Sequence, residues 1–473
     1  MARSWKWWAR GKAGAGRSPG RRQAARQVEV RIGLDVGTAT TACVVNVLGQ
    51  QPFDDAMQAI ALDAHSVTMP SSFAIDGDTF VIGHRAEAMA SAHRSVLMWL
   101  PMLAGERVET ASSGKYDGLK QTVFNLGDHM ISAKEVMVLF LERVLGRMVT
   151  ELDAAFGRGG WYGTMHIACP AHSGQAYRDL LKDIAALAFD LAMAGASGDG
   201  PWRAPSMTAS LSGLTERYQR GCGRSCDGVL DIDIVPASQA AAAAVVASGR
   251  TDDGRLAIID LGAGSTNATV CTVNKRGVRI LADGGVWHGM DDVDQLLATS
   301  RAVRRRPPRD FRREQGLRPS DRPMVRRGLD RMVGVLPGLL QRITSRSGTD
   351  GWVSRRRAAF DIVLIGGGSC CELLVDEFKR REQSPMPTVV SFWDVDVFTP
   401  VRGGGLPLLG VTDRRRRHVA PDDHALCVLA CGLADRSVSV SMPAPRKSSQ
   451  PVDDVVETPV EPTVDTPTFT SPF

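Results

Sequence analysis

The sequence lacks the features of a membrane protein and of a disulfide-stabilised protein. No run of about 18 apolar residues occurs, which argues against a membrane-spanning helix. Nine cysteines in 473 residues, with no secretory signal in front of them, predict reduced thiols and a cytoplasmic location. Neither a His-Glu-x-x-His helix nor a Gly-x-Ser-x-Gly elbow is present, which argues against two common classes of hydrolase.

Acidic residues are absent from residues 1–27, whose arginines and lysines predict a basic disordered tail. Residues 438–473 are rich in Pro, Thr, Ser and acids and poor in aromatics, so they predict a disordered acidic tail. A third biased stretch, residues 301–331, is rich in arginine, and Pro307 and Pro308 interrupt any helix there. This stretch predicts a partly disordered insert. The basic tail and the insert are candidate contacts for an anionic partner.

Between the tails, strand signals alternate with helix signals. "VEVRIGLDV" and "TACVVNV" read as neighbouring strands, and "SSFAIDGDTFVIG" reads as a hairpin. "SAKEVMVLFLERVL" has apolar residues at helical spacing, with Ser132 and Glu135 as a capping box. The run from Ala240 to Ala247 predicts a packed helix. This alternation predicts an α/β protein with sheets covered by helices.

A carboxylate-and-glycine turn occurs twice. Asp35 and Gly37 follow one apolar strand, and Asp260 and Gly262 follow another, which predicts related lobes at residues 28–250 and 251–437. Turns of Gly, Ser and Thr let backbone N–H groups approach phosphate oxygens. A carboxylate at each strand end is suited to Mg²⁺ and its waters. Either turn alone is equally compatible with an ordinary hairpin that carries a surface aspartate.

A third glycine turn changes the interpretation of the first two. "FDIVLIGGGS" ends an apolar strand at Gly366, Gly367 and Gly368. The three motifs in this order resemble those of the actin superfamily, and the pieces "MPSSFAIDGDTFVIGHRA" and "GGVWHGMDDVDQLL" are similar to segments of its DnaK-type seventy-kilodalton heat-shock chaperones. The resemblance extends over about residues 28–434. It implies a two-lobed actin-like ATPase fold, in which each lobe is a ribonuclease-H-like mixed sheet with flanking helices.

The resemblance also implies the roles of individual residues. Asp35 and Asp260 would bind Mg²⁺ and its waters, and Gln239 and Ser265 would join them in catalysis. The phosphates of ATP would be held by Gly37, Thr38, Ala39, Gly262, Ala263 and Gly264. Adenosine would be flanked by Gly366, Gly367, Gly368 and Ser369.

Four departures from the chaperone pattern predict slow hydrolysis of ATP. No lysine stands near Pro101, where the chaperones carry one that positions water, and Lys115 and Lys120 lie further along. Gln239 replaces an acid; actin also uses a glutamine here, although this residue is equally compatible with a helix cap. Asn267 replaces a carboxylate. Cys370 replaces an arginine, and with Cys371 it either makes nucleotide binding sensitive to oxidation or is an idle thiol.

These patterns predict an ATP-binding, DnaK-like protein with ATP and Mg²⁺ as ligands. Too few residues follow Ala434 for a substrate-binding domain, so we expect a nucleotide-dependent switch that contacts an unidentified protein partner. One alternative is a filament-forming cytoskeletal ATPase of the actin or shape-determining kind, which self-associates. The other is a catalytically inactive scaffold that retains the fold.

Overall fold

The computed structural model contains two large mixed β-sheets with flanking helices and two smaller sheets. It describes residues 27–48, 57–62, 66–76, 79–89, 93–94, 100–104, 123–126, 129–196, 208–210, 229–247, 254–274, 277–300, 317–336, 338, 358–382, 390–397, 426–435 and 440–441. All of them belong to the first of two units of the chain, Met1–Met442. The basic tail up to residue 26, nearly all of the acidic tail, residues 301–316 of the insert, and both Lys115 and Lys120 lie outside these ranges.

The secondary-structure elements alternate along the chain, as the sequence predicts. The strands are β1 (Val28–Val36), β2 (Thr40–Leu48), β3 (Met57–Ala59), β4 (Thr68–Pro70), β5 (Ser72–Asp76), β6 (Thr79–Ile82), β7 (His93–Arg94), β8 (Val123–Leu126), β9 (His129–Ser132), β10 (Trp161–Cys169), β11 (Thr208–Ser210), β12 (Leu230–Pro236), β13 (Gly254–Leu261), β14 (Thr266–Asn274), β15 (Gly277–Val286), β16 (Ala358–Ile365), β17 (Val390–Val397) and β18 (Val440–Ser441). The helices are α1 (Gly83–Glu87), α2 (Leu100–Leu103), α3 (Ala133–Phe156), α4 (Gln175–Ala196), α5 (Ala237–Ala247), α6 (Met290–Ser300), α7 (Arg322–Val333), α8 (Glu372–Glu382) and α9 (Val428–Ala434). The two smaller sheets are β11-β6-β5-β7 and β8-β9.

The two large sheets have the same strand order. In the first sheet the order is β12-β10-β1-β2-β3, with β4 also paired to β2; in the second it is β17-β16-β13-β14-β15-β18. The polarity also matches, because β1 pairs with β10 in parallel and with β2 antiparallel, while β13 pairs with β16 in parallel and with β14 antiparallel. The repeat seen in the sequence is therefore a repeat in structure, with β1 equivalent to β13 and β10 equivalent to β16.

This shared order fixes where the glycine turns lie. Parallel strands end at the same edge of a sheet. Asp35 near the end of β1 therefore lies at the same edge as the turn that follows β10. Asp260 lies at the same edge as Gly366, directly beyond β16, and it pairs in register with Ile365.

Each sheet has its own core. In the first, Ile32 and Leu34 of β1 belong to one buried cluster with Phe140 of α3 and Leu181 of α4. The predicted capping box begins α3: the Ser132 Oγ accepts from the Glu135 N–H at 3.2 Å, and the Ser132 N–H donates to Glu135 Oε2 at 2.7 Å. The mixed α/β class and this capping box are thus confirmed.

The second core contains a helix that the sequence analysis did not place. Val325, Leu329 and Met332 of α7 are buried with Val293 of α6 and Leu374 of α8. Helix α7 lies within the arginine-rich insert, where a partly disordered segment is expected. Its apolar residues recur every three or four positions, but they are separated by arginines whose charge obscured that period. Of the helices described, none is long and apolar enough to cross a membrane.

Helices α5 and α9 pack on each other and join the two sheets. Helix α9 lies on β1 and β2 of the first sheet, and α5 lies on β14 and β15 of the second. The contacts are backbone to backbone: a Cβ at Gly432 would collide with the carbonyl oxygen of Ala240, and a Cβ at Gly33 would collide with that of Ala430. These two glycines allow the close approach.

We therefore expect Gly432→Ala to destabilise the fold. The added methyl group meets backbone, which cannot rotate away, so the free energy of unfolding should fall by roughly 1–3 kcal/mol. Denaturant unfolding followed by circular dichroism measures this loss. Gly334→Ala is the matched control, because Gly334 has helical dihedrals and a Cβ there meets nothing closer than 3.3 Å. Equal stability of the two variants would contradict the assigned packing of α5 on α9.

Candidate functional site

A cleft of about 770 Å³ opens between the ends of the two sheets. All three glycine turns predicted from the sequence meet in it. Its lining includes these predicted residues: Asp35, Gly37, Thr38, Ala39, Asp260, Gly262, Ala263, Gly264, Ser265, Gly366, Gly367 and Gly368. Residues from distant parts of the chain thus form one continuous surface.

The first two turns are built alike. The Gly37 N–H donates to the Thr40 carbonyl at 2.9 Å and closes the turn between β1 and β2. A Cβ at Gly37 would lie 2.8 Å from that carbonyl oxygen, and a Cβ at Gly262 would lie 2.7 Å from the carbonyl oxygen of Ser265. Only glycine fits either position, which accounts for the repeated Asp-x-Gly pattern.

The two turns also contact each other. A Cβ at Gly264 would lie 2.5 Å from Thr38 Oγ1 and 2.7 Å from Thr38 Cγ2. Nearly all real Cβ contacts are longer than this, so the second turn approaches the first more closely than any other residue type permits. The turn of the second sheet therefore lies directly against the turn of the first.

Helix α6 braces the second turn. The Met290 N–H donates to the Gly262 carbonyl and the Asp291 N–H donates to the Ala263 carbonyl, both at 2.9 Å. In a trans peptide the next N–H points opposite to the carbonyl, so the amides of Ala263 and Gly264 point away from α6. Gly289 packs directly against Ala263. The turn is therefore held rigidly by the segment "GGVWHGMDD".

The third turn lies against the second carboxylate. Gly366 has φ +80°, and a Cβ there would collide with Asp260 Oδ1. Ser369 is 3% exposed, and its Oγ donates to the Gly366 carbonyl at 2.7 Å. This hydrogen bond stabilises the turn, and Ser369 is not among the residues that line the cleft.

Asp35 and Asp260 form a pair of carboxyl groups in the cleft, where Asp260 is 8% exposed and Asp35 is half-buried. Burial raises the pKa of Asp35 to about 8, with a further contribution from the Asp260 carboxylate. Burial also raises the pKa of Asp260 to about 6, against the opposing effect of a hydrogen bond from Asn267. A cation between the two would relieve both costs.

This pair of carboxyl groups suits Mg²⁺ better than a metal ion whose ligands all come from protein side chains. It takes one or two carboxylates and keeps several waters. Within the described residues no group of three or more His, Cys, Asp or Glu side chains could hold a metal ion. A metal that needs such a set of ligands, as zinc does, does not match the residues present.

The rest of the lining is acidic and apolar. Six carboxylates line the cleft, and the described lining residues include no lysine or arginine: Asp35, Glu87, Asp260, Asp291, Glu372 and Asp376. Leu317, Leu373, Leu426 and Leu429 also line the cleft. Leu426 lies against the third turn, because a Cβ at Gly367 would be 3.1 Å from its Cδ2.

One further predicted residue, Gln239, lies away from the lining. Gln239 is half-buried on α5, and although Ala237 of the same helix lines the cleft, Gln239 does not. The neighbouring Ser238 donates to Asp283 Oδ2 at 2.7 Å. Pro101 does line the cleft, at the place where the resemblance implies a lysine.

The structure adds residues that sequence reasoning missed. Tyr177, Trp287, Glu87, Glu372 and Asp376 all line the cleft. Glu372 and Asp376 could have been predicted from the sequence, because a spacing of four residues places them on one face of the helix after the third turn. Trp287 and Tyr177 were not, since they meet only after folding.

Comparison with known proteins yields no family assignment. The chain matches no protein-family model and shows no significant similarity to a curated protein.

We expect the buried pair to make stability depend on pH. The pKa of Asp35 is raised in the folded state, so its contribution is fully present below about pH 4 and is lost as the pH rises toward 8. In the apo protein, the stability of the wild type relative to Asp35→Asn should therefore fall between pH 5 and pH 8. Denaturant unfolding at several pH values measures this difference.

Asp76→Asn is the control for this comparison, because Asp76 is an exposed carboxylate at the end of β5. Its stability relative to the wild type should stay flat over the same range. A flat difference for Asp35→Asn as well would show that Asp35 is not buried beside Asp260.

Proposed function

We propose that this protein binds Mg-ATP in the cleft between its two sheets and acts as a nucleotide-dependent switch of the DnaK-like, actin-superfamily kind. One observation carries the proposal: three glycine turns, far apart in sequence, line one cleft together with the Asp35 and Asp260 carboxyl groups. The resemblance of the motifs implies this meeting, and neither a hairpin nor a surface aspartate would require it.

The finer fold assignment is also part of the proposal. Two sheets of equal strand order and polarity, joined by the packed helices α5 and α9, support a two-lobed actin-like ATPase fold. The wall of the cleft at Asp35 comes from the first sheet, and the walls at Asp260 and Gly366 come from the second. A ligand that contacts all of them favours one separation of the lobes, and this is the basis of a switch.

The two ends of the cleft suit the two ends of a nucleotide. Glycine turns with Thr38 and Ser265 supply backbone and hydroxyl donors, which phosphate oxygens accept. The four leucines of the lining, of which Leu426 lies against Gly367, provide an apolar surface for a base. Glu372 and Asp376 at that end are acceptors only, as needed for ribose hydroxyls or an exocyclic amine.

Charge makes the metal essential in this proposal. The lining has six carboxyl groups and, among its described residues, no lysine or arginine, so those carboxyl groups that are ionised would repel a bare triphosphate. Mg²⁺ bound to the phosphates would reduce their net charge, and Asp35 and Asp260 would be ligands of that Mg²⁺ ion. The side chains would thus hold the metal complex and not free ATP.

Slow hydrolysis follows from the groups that surround the phosphate end. Transfer of the terminal phosphoryl group to water depends on positioning the water and on stabilising charge. The described lining offers no lysine for either task, and Gln239 lies off the cleft. We therefore propose that the bound state is long-lived and serves to change contacts with a protein partner.

Mg-ATP binding should be strong only with both carboxylates and the metal present. In isothermal titration we expect wild-type protein to bind ATP with Mg²⁺ and at least tenfold more weakly in EDTA. Asp35→Ala and Asp260→Ala should weaken binding by a similar factor because each removes a metal ligand, whereas Asp76→Ala should have no effect. A folded wild type that binds no nucleotide would refute the proposal and favour the inactive scaffold.

Alkylation of Cys370 should locate the nucleoside end. Cys370 is exposed and lines the cleft, whereas burial raises the pKa of Cys271 and Cys431 to about 12 and keeps them unreactive. Mg-ATP at ten times its dissociation constant should slow iodoacetamide labelling of Cys370 about tenfold. Peptide mass spectrometry measures the rate, and Asp35→Ala at the same ATP concentration is the control. Equal rates with and without bound Mg-ATP would place the base elsewhere.

A further inference from the structure

We propose that Asn267 is a positioning residue, which holds the Asp260 carboxylate and the turn after β10 in one fixed arrangement. In the chaperone pattern a carboxylate stands at this position, and Asn267 lacks that acidic group. The inference rests on the proposed function in that Asp260 is taken to bind Mg²⁺. The arrangement itself is present without ligand.

Both ends of the Asn267 amide are used. Its Nδ2 donates to Asp260 Oδ2 at 3.3 Å, and its Oδ1 accepts from the Ala171 N–H at 3.0 Å. The partners fix which end is which, because a carboxylate oxygen accepts and a backbone N–H donates. Asn267 is 5% exposed, and its bond to Asp260 is buried, whereas the bond from Ala171 is part-buried.

These two bonds cross from one sheet to the other. Asn267 and Asp260 lie opposite each other in register on β14 and β13 of the second sheet. Ala171 lies in the turn after β10 of the first sheet, at the position equivalent to the third glycine turn. The amide therefore links the second cleft carboxylate to the opposite wall.

Neighbouring contacts join the same two walls. A Cβ at Gly285 would lie 2.8 Å from Asn267 Oδ1 and would collide with His172 Nδ1, so Gly285 makes room for both. The ring of His172 meets Trp287 edge-on at 4.4 Å, and Tyr177 lies 6.2 Å from Trp287 between ring centroids. Tyr177 belongs to α4, so contacts through His172 and Trp287 connect Asn267 to that helix.

No other common residue does both tasks at position 267. An aspartate would still accept from Ala171, but it would face Asp260 as a second negative charge instead of a donor. An alanine would make neither bond.

Hydrogen exchange at Ala171 tests the first bond in the apo protein. In Asn267→Ala, the amide of Ala171 should exchange about tenfold faster than in the wild type, because one buried hydrogen bond is lost. In Asn267→Asp, which keeps the acceptor, exchange should stay near the wild-type rate. Asn274→Ala, at the exposed end of the same strand, is the control. Unchanged exchange in Asn267→Ala would overturn the proposal.

A double-mutant cycle tests the second bond. If Asn267 holds Asp260, the stability effects of Asn267→Ala and of Asp260→Ala, which removes the acceptor, should be non-additive by about tenfold in the unfolding equilibrium. Additive effects would overturn the link. Both tests use apo protein, so failure of the wild type to bind Mg-ATP would refute the proposed function without deciding this result.

Discussion

The close contact of the two glycine turns is the constraint on which the rest of the structure depends. Gly264 lies so close to the Thr38 side chain that a Cβ on Gly264 would be 2.5 Å from Thr38 Oγ1, and Asp35 and Asp260 line the same cleft as these turns. Burial of two carboxyl groups side by side costs free energy. The fold maintains the arrangement through the bonds from α6 to the second turn and through the backbone packing of α5 on α9.

Local sequence signals were enough to predict the framework of this site. Each turn follows an apolar strand and begins with residues whose spacing is visible in a short window, such as Asp260-x-Gly262. The repeat of that pattern predicted two related lobes, which stay a prediction. The two large sheets share strand order and polarity. The mixed α/β class and the Ser132 capping box were predictable for the same reason, since each depends on neighbours in sequence.

Contacts between distant residues could not be predicted in this way. The partner of Asn267 across the cleft, Ala171, is 96 residues away, and a single sequence carries no signal of that pairing. Gly33 reads as an ordinary residue inside a strand, yet it is required because the Ala430 carbonyl lies against it. Trp287 likewise reads as part of a chaperone-like segment, and its place against Tyr177 follows from packing alone.

The amide at position 267 makes physical sense in a cleft that is already acidic. Six carboxylates line this cleft, and a seventh beside Asp260 would raise the pKa of both buried carboxyl groups further. Asn267 avoids that charge and donates to Asp260, which lowers its pKa and favours the ionised form that binds a cation. The same substitution removes an acid that the chaperone pattern implies near the phosphates. Under the proposed function, a neutral amide there would favour binding of a metal complex at the expense of catalytic groups.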